Sequence, residues 1–297
     1  MRVRKKRPDS VPLGFNIFGT MFVLLLTVIC LVPFWLMVSG SFTSNSAIIT
    51  DGYRFWPSVV SFEAYRMVFR VPDVIFRAYL TTICLTLAGT AVSLFITSMT
   101  AFVLHRKDFK YRNVFSFFFY LTTLFSGGLI PYYLLMLSLN MRDSYLALLL
   151  PPMISVFNII VMRTFFASLP AEIGESGVID GANDFVIYSA LYLPMAIPGL
   201  ATIGLFTALV YWNDWYNALL FINRPSMYPL QYQLYTVMSQ VNFARTVAMR
   251  TGQQIQSVPS EALKLAMACI TIGPIILLFP FIQRYFIKGL TIGAVKG

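Results

Sequence analysis

Six long, predominantly apolar stretches without Asp, Glu, Lys or Arg constrain the fold of this 297-residue chain more than any other feature. They cover residues 10–50, 78–105, 113–141, 144–162, 185–213 and 265–283. Each stretch can supply the roughly 20 apolar residues that a helix needs to cross a bilayer. Because lipid offers the backbone no hydrogen-bond partners, a spanning segment of this kind must be helical. The pattern predicts an all-α membrane protein with six transmembrane helices.

The predicted spans lie within a single domain covering residues 1–297. Their ranges are about 14–39, 78–104, 113–137, 145–166, 193–215 and 263–283. The apolar core of the first stretch, Phe15 to Val38, is too long for the hydrophobic region of a signal peptide, so we expect an uncleaved span. Composition agrees, because 58% of the residues are hydrophobic and only 11% are charged.

The net charge of +10 comes from basic residues in the short gaps between the apolar runs. No basic, aromatic-interleaved patch of the kind that binds nucleic acid is present, so nucleic acid is excluded as a partner. The basic clusters at 2–7, 106–112 and 284–296 fall on one side if the spans alternate, and the positive-inside rule makes that side the cytoplasm. We therefore expect a multi-pass protein of the cytoplasmic (inner) membrane, with both termini cytoplasmic and a long outer loop at about 216–261.

The predicted cytoplasmic gap between the fourth and fifth spans is acidic, against the usual basic bias. It holds Glu172, Glu175, Asp180 and Asp184, and no Lys or Arg occurs between Arg163 and Arg224. One interpretation is a solvated helical hairpin. The other is a docking surface for a basic partner, because complementary charge selects and orients protein partners.

Local signals in this gap predict two short helices joined by a turn. Ser168 is a candidate N-cap, with Pro170 in the first helical turn. Gly181 is a candidate helix end, since glycine tolerates the left-handed conformation. Asn183 or Asp184 is expected to cap the second helix, which runs into the fifth span.

The same segment resembles the EAA loop of ABC importer permeases. That pattern is Glu-Ala-Ala, three residues, Gly, nine residues, then Ile-x-Leu-Pro, and this chain has Glu175-Ser176-Gly177, then Gly181, then Leu191-Tyr192-Leu193-Pro194 at the same spacing. Ser176 and Gly177 replace the two alanines, and Leu191 replaces the isoleucine. The resemblance implies that the loop, about 168–192, couples to an ATPase through Glu175, Ser176, Gly177, Asp180, Gly181, Ala182, Leu193 and Pro194.

Other segments are similar to MalG-type carbohydrate permeases. They are residues 281–297, the pair Trp212-Asn213, and residues 125–131, which look like a subgroup linked to oligosaccharides and polysaccharide fragments. The resemblance implies a type I ABC importer permease fold and transport of a carbohydrate by alternating access. It also implies a second homologous permease subunit, two cytoplasmic ABC ATPase subunits, and an extracellular or periplasmic solute-binding protein.

The chain lacks a Gly-rich phosphate loop with Lys and Ser/Thr, so ATP and Mg²⁺ are assigned to the partner ATPase and no cofactor is expected here. No oriented nucleophile or acid–base pair appears, which favours a non-catalytic subunit. The three cysteines, all inside apolar runs, show no metal-ligand spacing. A permease for a non-sugar solute, a membrane-embedded enzyme and a receptor or scaffold stay open as alternatives.

Candidate residues of the substrate path are Gly127, Gly128, Asn158, Trp212 and Asn213. The two glycines, followed by Pro131, indicate either close helix packing or a bend that lines the path. Asn158 is polar within an apolar run, which fits either an interhelical hydrogen bond or a sugar contact. His105, beside Arg106 and Lys107, is expected to lie at the cytoplasmic interface.

Overall fold

The computed structural model describes residues 13–251 and 261–294, and regular structure in these residues is helical apart from one isolated β-bridge between Thr43 and Val60. The helices are α1 (Leu13–Ser41), α2 (Asn45–Asp51), α3 (Glu63–Val68), α4 (Pro72–His105), α5 (Arg112–Leu124), α6 (Leu129–Ser138), α7 (Leu146–Leu149), α8 (Val156–Ala167), α9 (Glu172–Ile179), α10 (Asp184–Val186), α11 (Leu193–Met195), α12 (Ile197–Trp212), α13 (Tyr216–Phe221), α14 (Leu230–Thr251) and α15 (Glu261–Ala294). Short 3₁₀ turns occupy Pro151–Met153 and Pro225–Met227, and a π-helical segment occupies Ile187–Tyr192.

Two helices are long and apolar enough to cross a membrane unbroken, namely α1 and α4. Three further pairs qualify only when their halves are taken together, and these are bent by 115° between α5 and α6, by 46° before α8, and by 82° before α12. The described residues thus hold between two and five spans by length and composition. The sixth predicted range, 263–283, falls within α15.

The bend between α5 and α6 lies at the two glycines that the sequence singled out. Gly128 has φ +83°, a backbone conformation that favours glycine. A Cβ at Gly128 would meet nothing within 4 Å, and one at Gly127 would meet only Pro131, at 3.8 Å. No other helix of the described chain approaches these glycines closely, and they lie at a bend in the predicted third span.

The predicted outer loop at about 216–261 contains helices, which the topology argument did not anticipate. α13 and the 22-residue α14 lie inside it, and residues 252–260 are outside the described residues. α14 begins at the fully buried Leu230, whose backbone N–H has no partner within the helix and donates to the Thr82 hydroxyl at 2.8 Å. A tertiary hydrogen bond of this kind leaves no local sequence signal.

The described residues form two compact units. One unit holds α1 to α3 with residues 240–251 and 261–270, and the other holds residues 71–239 and 271–294. In the first unit, Asn45 accepts a hydrogen bond from the Glu261 backbone at 2.9 Å, and Trp35 and Trp56 meet edge to face. The second unit contains the bundle of α4, α8 and α12.

Small and polar side chains join the helices of this bundle. A Cβ at Gly89 of α4 would lie 2.3 Å from the Tyr211 ring of α12, so only glycine permits this approach. The buried Asn158 donates to the Thr207 hydroxyl at 3.3 Å, which supports the interhelical interpretation of that residue. Trp212, also buried, donates its indole N–H to the Thr271 carbonyl at 3.2 Å. Both side chains serve packing in this conformation.

Candidate functional site

Residues 168–196, called here the α9 hairpin, leave α8 and return to α12 through a tight turn. The turn is a Schellman motif, in which Gly181 donates to the Val178 carbonyl at 3.1 Å and Ala182 donates to the Gly177 carbonyl at 3.0 Å. Gly181 has φ +74°, as predicted for the residue that ends this helix. Asn183 caps the following helix by accepting a hydrogen bond from the Val186 backbone at 2.9 Å.

The start of the hairpin differs from the prediction. Ser168 ends α8, where its hydroxyl donates to the Phe165 carbonyl at 2.7 Å, instead of capping α9. α9 begins at Glu172, after Ala171, without a side-chain cap. The acidic side chains of Glu172 and Glu175 in its first turn compensate in part, because they stabilise the positive end of the helix dipole.

Glycines bring α9 close to the returning chain. Gly177 is buried, and a Cβ there would lie 2.9 Å from Leu191 and 3.0 Å from Ile187. A Cβ at Gly174 would lie 2.9 Å from the Tyr192 hydroxyl. Gly177, which stands where the family pattern has alanine, thus allows a close contact that a Cβ would block. This contact offsets the ~1 kcal/mol that glycine costs in a helix relative to alanine.

The opposite face of the hairpin is exposed and combines apolar with acidic side chains. Ile179 is 84% exposed, a large value for an isoleucine, and Val178 and Phe185 are more than half exposed. Glu175, Ser176 and Asp180 are exposed on α9 or at its end, as is Glu172. Exposed apolar side chains among charged ones are typical of surfaces that bind another protein.

One acidic residue of the hairpin already has a basic partner. Arg106, just after α4, lies 3.2 Å from the Asp184 carboxylate, and it also pairs with Asp108. The hydrogen bond to Asp108 is the main reason that the pKa of Arg106 is raised above its usual value. In residues 13–251 and 261–294, Glu172, Glu175 and Asp180 form no ion pair, so the unpaired acids of the hairpin number three and not four.

A cavity of about 700 Å³ lies beside α9, and Glu175, Val178 and Ile179 of the exposed face form part of its lining. The basic residues Arg106, Lys107, Arg112 and Arg163 also line it, together with Asp108. Arg163 donates to the Ser116 hydroxyl at 3.0 Å, which fixes its position between α8 and α5. His105 lies in the same lining, and its position at the cytoplasmic interface stays a prediction.

The return path of the hairpin is tied to the bundle. Tyr188 and Ser98 share a hydrogen bond of 2.7 Å between their hydroxyls, linking the π-helical segment to α4. The Tyr192 ring lies 5.2 Å from that of Phe102 and 5.8 Å from that of Phe166. Ala182, Leu191 and Leu193 pack against the same buried cluster, while Pro194 is exposed at the start of α11.

Among the five residues predicted for the substrate path, Asn213 lines a cavity. This cavity of about 350 Å³ lies at the other end of α12. Its remaining lining residues are Pro151, Pro152, Val210, Asp214 and Asn217. Asp214 is the only acidic residue between Asp184 and Glu261 in the sequence, a signal that could have identified this place beforehand.

Comparison with known proteins connects this architecture to a transport family. No model of a known protein family matches the chain. It is 36% identical over 276 residues to the polygalacturonan/rhamnogalacturonan transport system permease protein YtcP of Bacillus subtilis, covering 93% of this chain and 96% of the relative. It is also 36% identical over 285 residues to the protein LplC of Bacillus subtilis, covering 95% of each.

A solved structure shows the same fold. It is the crystal structure of a bacterial ABC transporter involved in the import of the acidic polysaccharide alginate, one chain of which matches with a TM-score of 0.78 and 30% identity, covering 94% of this chain and all of that one. The helical bundle and its hairpin thus define a transmembrane transport subunit. The chain belongs to the carbohydrate ABC transporter permeases, in agreement with the resemblance noted in the sequence, and it is a non-catalytic, integral membrane component of such a system.

Proposed function

We propose that the chain forms one of two homologous permease subunits of an ATP-driven importer, and that it moves an oligosaccharide or a polysaccharide fragment by alternating access. The relatives' names support a carbohydrate substrate, since they include transporters of polygalacturonan, arabinooligosaccharides and diacetylchitobiose. In this proposal, residues 1–297 form a single domain with six spans in the cytoplasmic membrane and with both termini inside.

The exposed face of the α9 hairpin carries this proposal. It presents Ile179 and Val178 beside Glu175 and Asp180. Both apolar side chains are more than half exposed, and neither carboxylate forms an ion pair within the described residues. A partner that covers this face needs an apolar pocket and basic groups beside it. In an ABC importer that partner is the cytoplasmic ATPase, of which we propose two copies, and these bind the ATP and Mg²⁺.

The contacts behind the hairpin make it suitable as a coupling element. A displacement of α9 reaches α4 and α8 through the Tyr188–Ser98 hydrogen bond and the Tyr192, Phe102 and Phe166 rings. Close-packed protein cores switch between discrete arrangements instead of deforming smoothly. Closure of the ATPase dimer would thereby tilt the spans around the path for the sugar.

Two further contacts belong to the proposal. We propose that residues 224–261 contact the solute-binding protein on the outer side and that the segment 288–297 lies against the ATPase. Residues 252–260 and 295–297, and the side chains of 278–294, are outside the described residues, so these contacts rest on sequence position and resemblance alone.

Reversing one exposed charge tests the coupling role. Glu175→Lys is expected to weaken the association with the ATPase by about 30-fold to several thousand-fold, the range for breaking a buried interfacial charge pair. The measurement is co-purification of the ATPase together with hydrolysis in reconstituted vesicles. Glu63→Gln, at an exposed position of α3, is the control and is expected to change neither. Full association and full stimulated hydrolysis in Glu175→Lys would remove the hairpin from the coupling role.

Thiol labelling tests the orientation. In a variant without Cys30, Cys84 and Cys269, single cysteines at Lys107 and Ser176 are expected to resist an impermeant reagent in intact cells. A cysteine at the exposed Thr246 is expected to react. Labelling of Ser176→Cys in intact cells would reverse the proposed topology.

A further inference from the structure

The cavity beside α9, of about 700 Å³, has more positive than negative groups in its lining. Its cations come from the segment after α4, the start of α5 and the last turns of α8, and they are Arg106, Lys107, Arg112 and Arg163. The carboxylates of the lining are those of Asp108 and Glu175. The volume lies in the range of small-molecule sites in proteins.

Most of these cations have no carboxylate partner. In residues 13–251 and 261–294, Arg106 is ion-paired, whereas Lys107, Arg112 and Arg163 form no ion pair. Arg112 and Arg163 are partly buried, and Arg163 donates to the uncharged Ser116 hydroxyl at 3.0 Å. Removing a guanidinium group from water without a counter-ion is unfavourable, so the cavity favours an anionic group between these two side chains.

The two partly buried arginines lie where the chain enters the bilayer in the proposed topology. Arg112 is the first residue of α5, directly before the predicted third span. Arg163 lies inside the predicted fourth span, one turn before the end of α8. Apolar side chains, including Ala167, Leu169 and Val178, complete the walls of the cavity. Basic pockets between spans on the cytoplasmic side of a membrane bind the headgroups of anionic lipids.

We infer that this cavity binds the phosphate of an anionic lipid from the cytoplasmic leaflet, with Arg112 and Arg163 as its ligands. A guanidinium group presents parallel N–H donors that match two phosphate oxygens. An acidic side chain of the ATPase fits the geometry less well, because Arg163 lies within a predicted span and the exposed face of α9 lies outside the bilayer in this topology.

The inference rests on the proposed function and adds a form of regulation to it. Glu175 and Val178 of α9 belong to the same lining, so a lipid headgroup bound here contacts the coupling hairpin as well as the ends of α5 and α8. The position of the hairpin, and with it the hydrolysis that drives transport, would then depend on the anionic lipid content of the membrane.

The test uses the complete importer in vesicles of phosphatidylcholine with or without phosphatidylglycerol. Native mass spectrometry measures the phosphatidylglycerol that stays bound, and substrate-stimulated ATP hydrolysis is measured in parallel. Arg112→Gln and Arg163→Gln are each expected to weaken lipid binding about fivefold, which corresponds to ~1 kcal/mol for one basic group at an anionic membrane surface. Both variants should also lose much of the gain in hydrolysis that phosphatidylglycerol gives the wild type.

Two further variants separate the cavity from general effects of charge and folding. Lys110→Gln removes an exposed cation of the same segment that is not part of the lining, and it should keep both properties. Arg163→Lys preserves the charge and should retain most of the lipid binding. An equal loss in Lys110→Gln would show that surface charge and not the cavity holds the lipid, which would overturn the site.

Two other results assign the anion to a different source. If inorganic phosphate in phosphatidylcholine vesicles raises hydrolysis as much as phosphatidylglycerol does, the ligand is a soluble anion and the lipid assignment is wrong. If Arg112→Gln and Arg163→Gln weaken ATPase association without any anionic lipid present, the ATPase supplies the anion, which also overturns the inference. An importer that binds phosphatidylglycerol at the two arginines but transports no carbohydrate would instead support the lipid site and overturn the proposed function.

Discussion

The two ends of α12 carry acidic side chains in different settings. Before α12, the α9 hairpin turns Glu172, Glu175 and Asp180 outward beside an 84% exposed Ile179. After α12, Asp214 lies at the corner before α13, where the backbone and side-chain N–H groups of Asn217 both donate to its carboxylate. The hairpin acids are exposed and form no ion pair within the described residues, so a folded partner can reach them, whereas the Asp214 carboxylate holds the α12–α13 corner together. The difference separates a coupling role at one end from a local structural role at the other.

The largest effect is expected at Gly181, whose backbone conformation forms the turn of the hairpin. At Gly181, with φ +74°, a β-branched residue is strained by about 1–2 kcal/mol, so Gly181→Val is expected to displace α9 from the π-helical segment. Association with the ATPase should fall below detection in a pull-down while membrane insertion stays normal. Gly52→Val is a matched control, because Gly52 has the same φ of +74° at the end of α2, and it should retain the ATPase.

An intermediate effect is expected at the most exposed apolar side chain of the hairpin. Ile179→Asp places a further negative charge where the partner needs an apolar contact, and removing a fully buried aliphatic side chain from an interface costs about 1.5–3 kcal/mol. The expected result is a roughly tenfold to hundredfold weaker ATPase association, measured by titration in detergent. Ile179→Leu should bind normally. If Ile179→Asp binds as well as the wild type, the apolar part of the surface has no role in docking.

The smallest effect is expected at the first residue of α9. Glu172 interacts with the positive end of a helix that has no side-chain cap. Glu172→Ala should therefore destabilise α9 by about 0.3–1 kcal/mol and reduce stimulated ATP hydrolysis by at most about fivefold. Asp214→Asn, measured in parallel, should leave ATPase association unchanged. A loss of association in Asp214→Asn as large as that in Glu175→Lys would show that the two ends of α12 do not have separate roles.

Local sequence signals predicted the turn of the hairpin but not its surroundings. Gly181 and Asn183 act through hydrogen bonds to residues within five positions, so their roles follow from the residue types alone. The Ser168 cap was wrong because Ser168 bonds back into α8. The pairing of Asp184 with Arg106 joins residues 78 positions apart, which no local pattern reveals.

The substrate-path residues show the same limit. Asn158 was selected as a polar side chain in an apolar run and Trp212 for its resemblance to the family, yet both are buried and each donates a hydrogen bond to a neighbouring helix. Asp214 was overlooked although it is the only acid between Asp184 and Glu261, whereas Tyr132, one tyrosine among 16, becomes informative only through its hydrogen bond to Asn217.

The sequence by itself determined that this chain is a helical membrane protein with an exposed, glycine-turned acidic hairpin. The physical reason is that the length of an apolar run and the preferences of glycine and asparagine act locally, whatever the rest of the fold does. Only the tertiary structure decided how sharply the predicted spans bend, by 46° to 115°, and which acids of the hairpin form no ion pair. Those outcomes depend on contacts between helices far apart in the chain, such as Gly89 against Tyr211 and Thr82 against Leu230, whose geometry exists only after the bundle has formed.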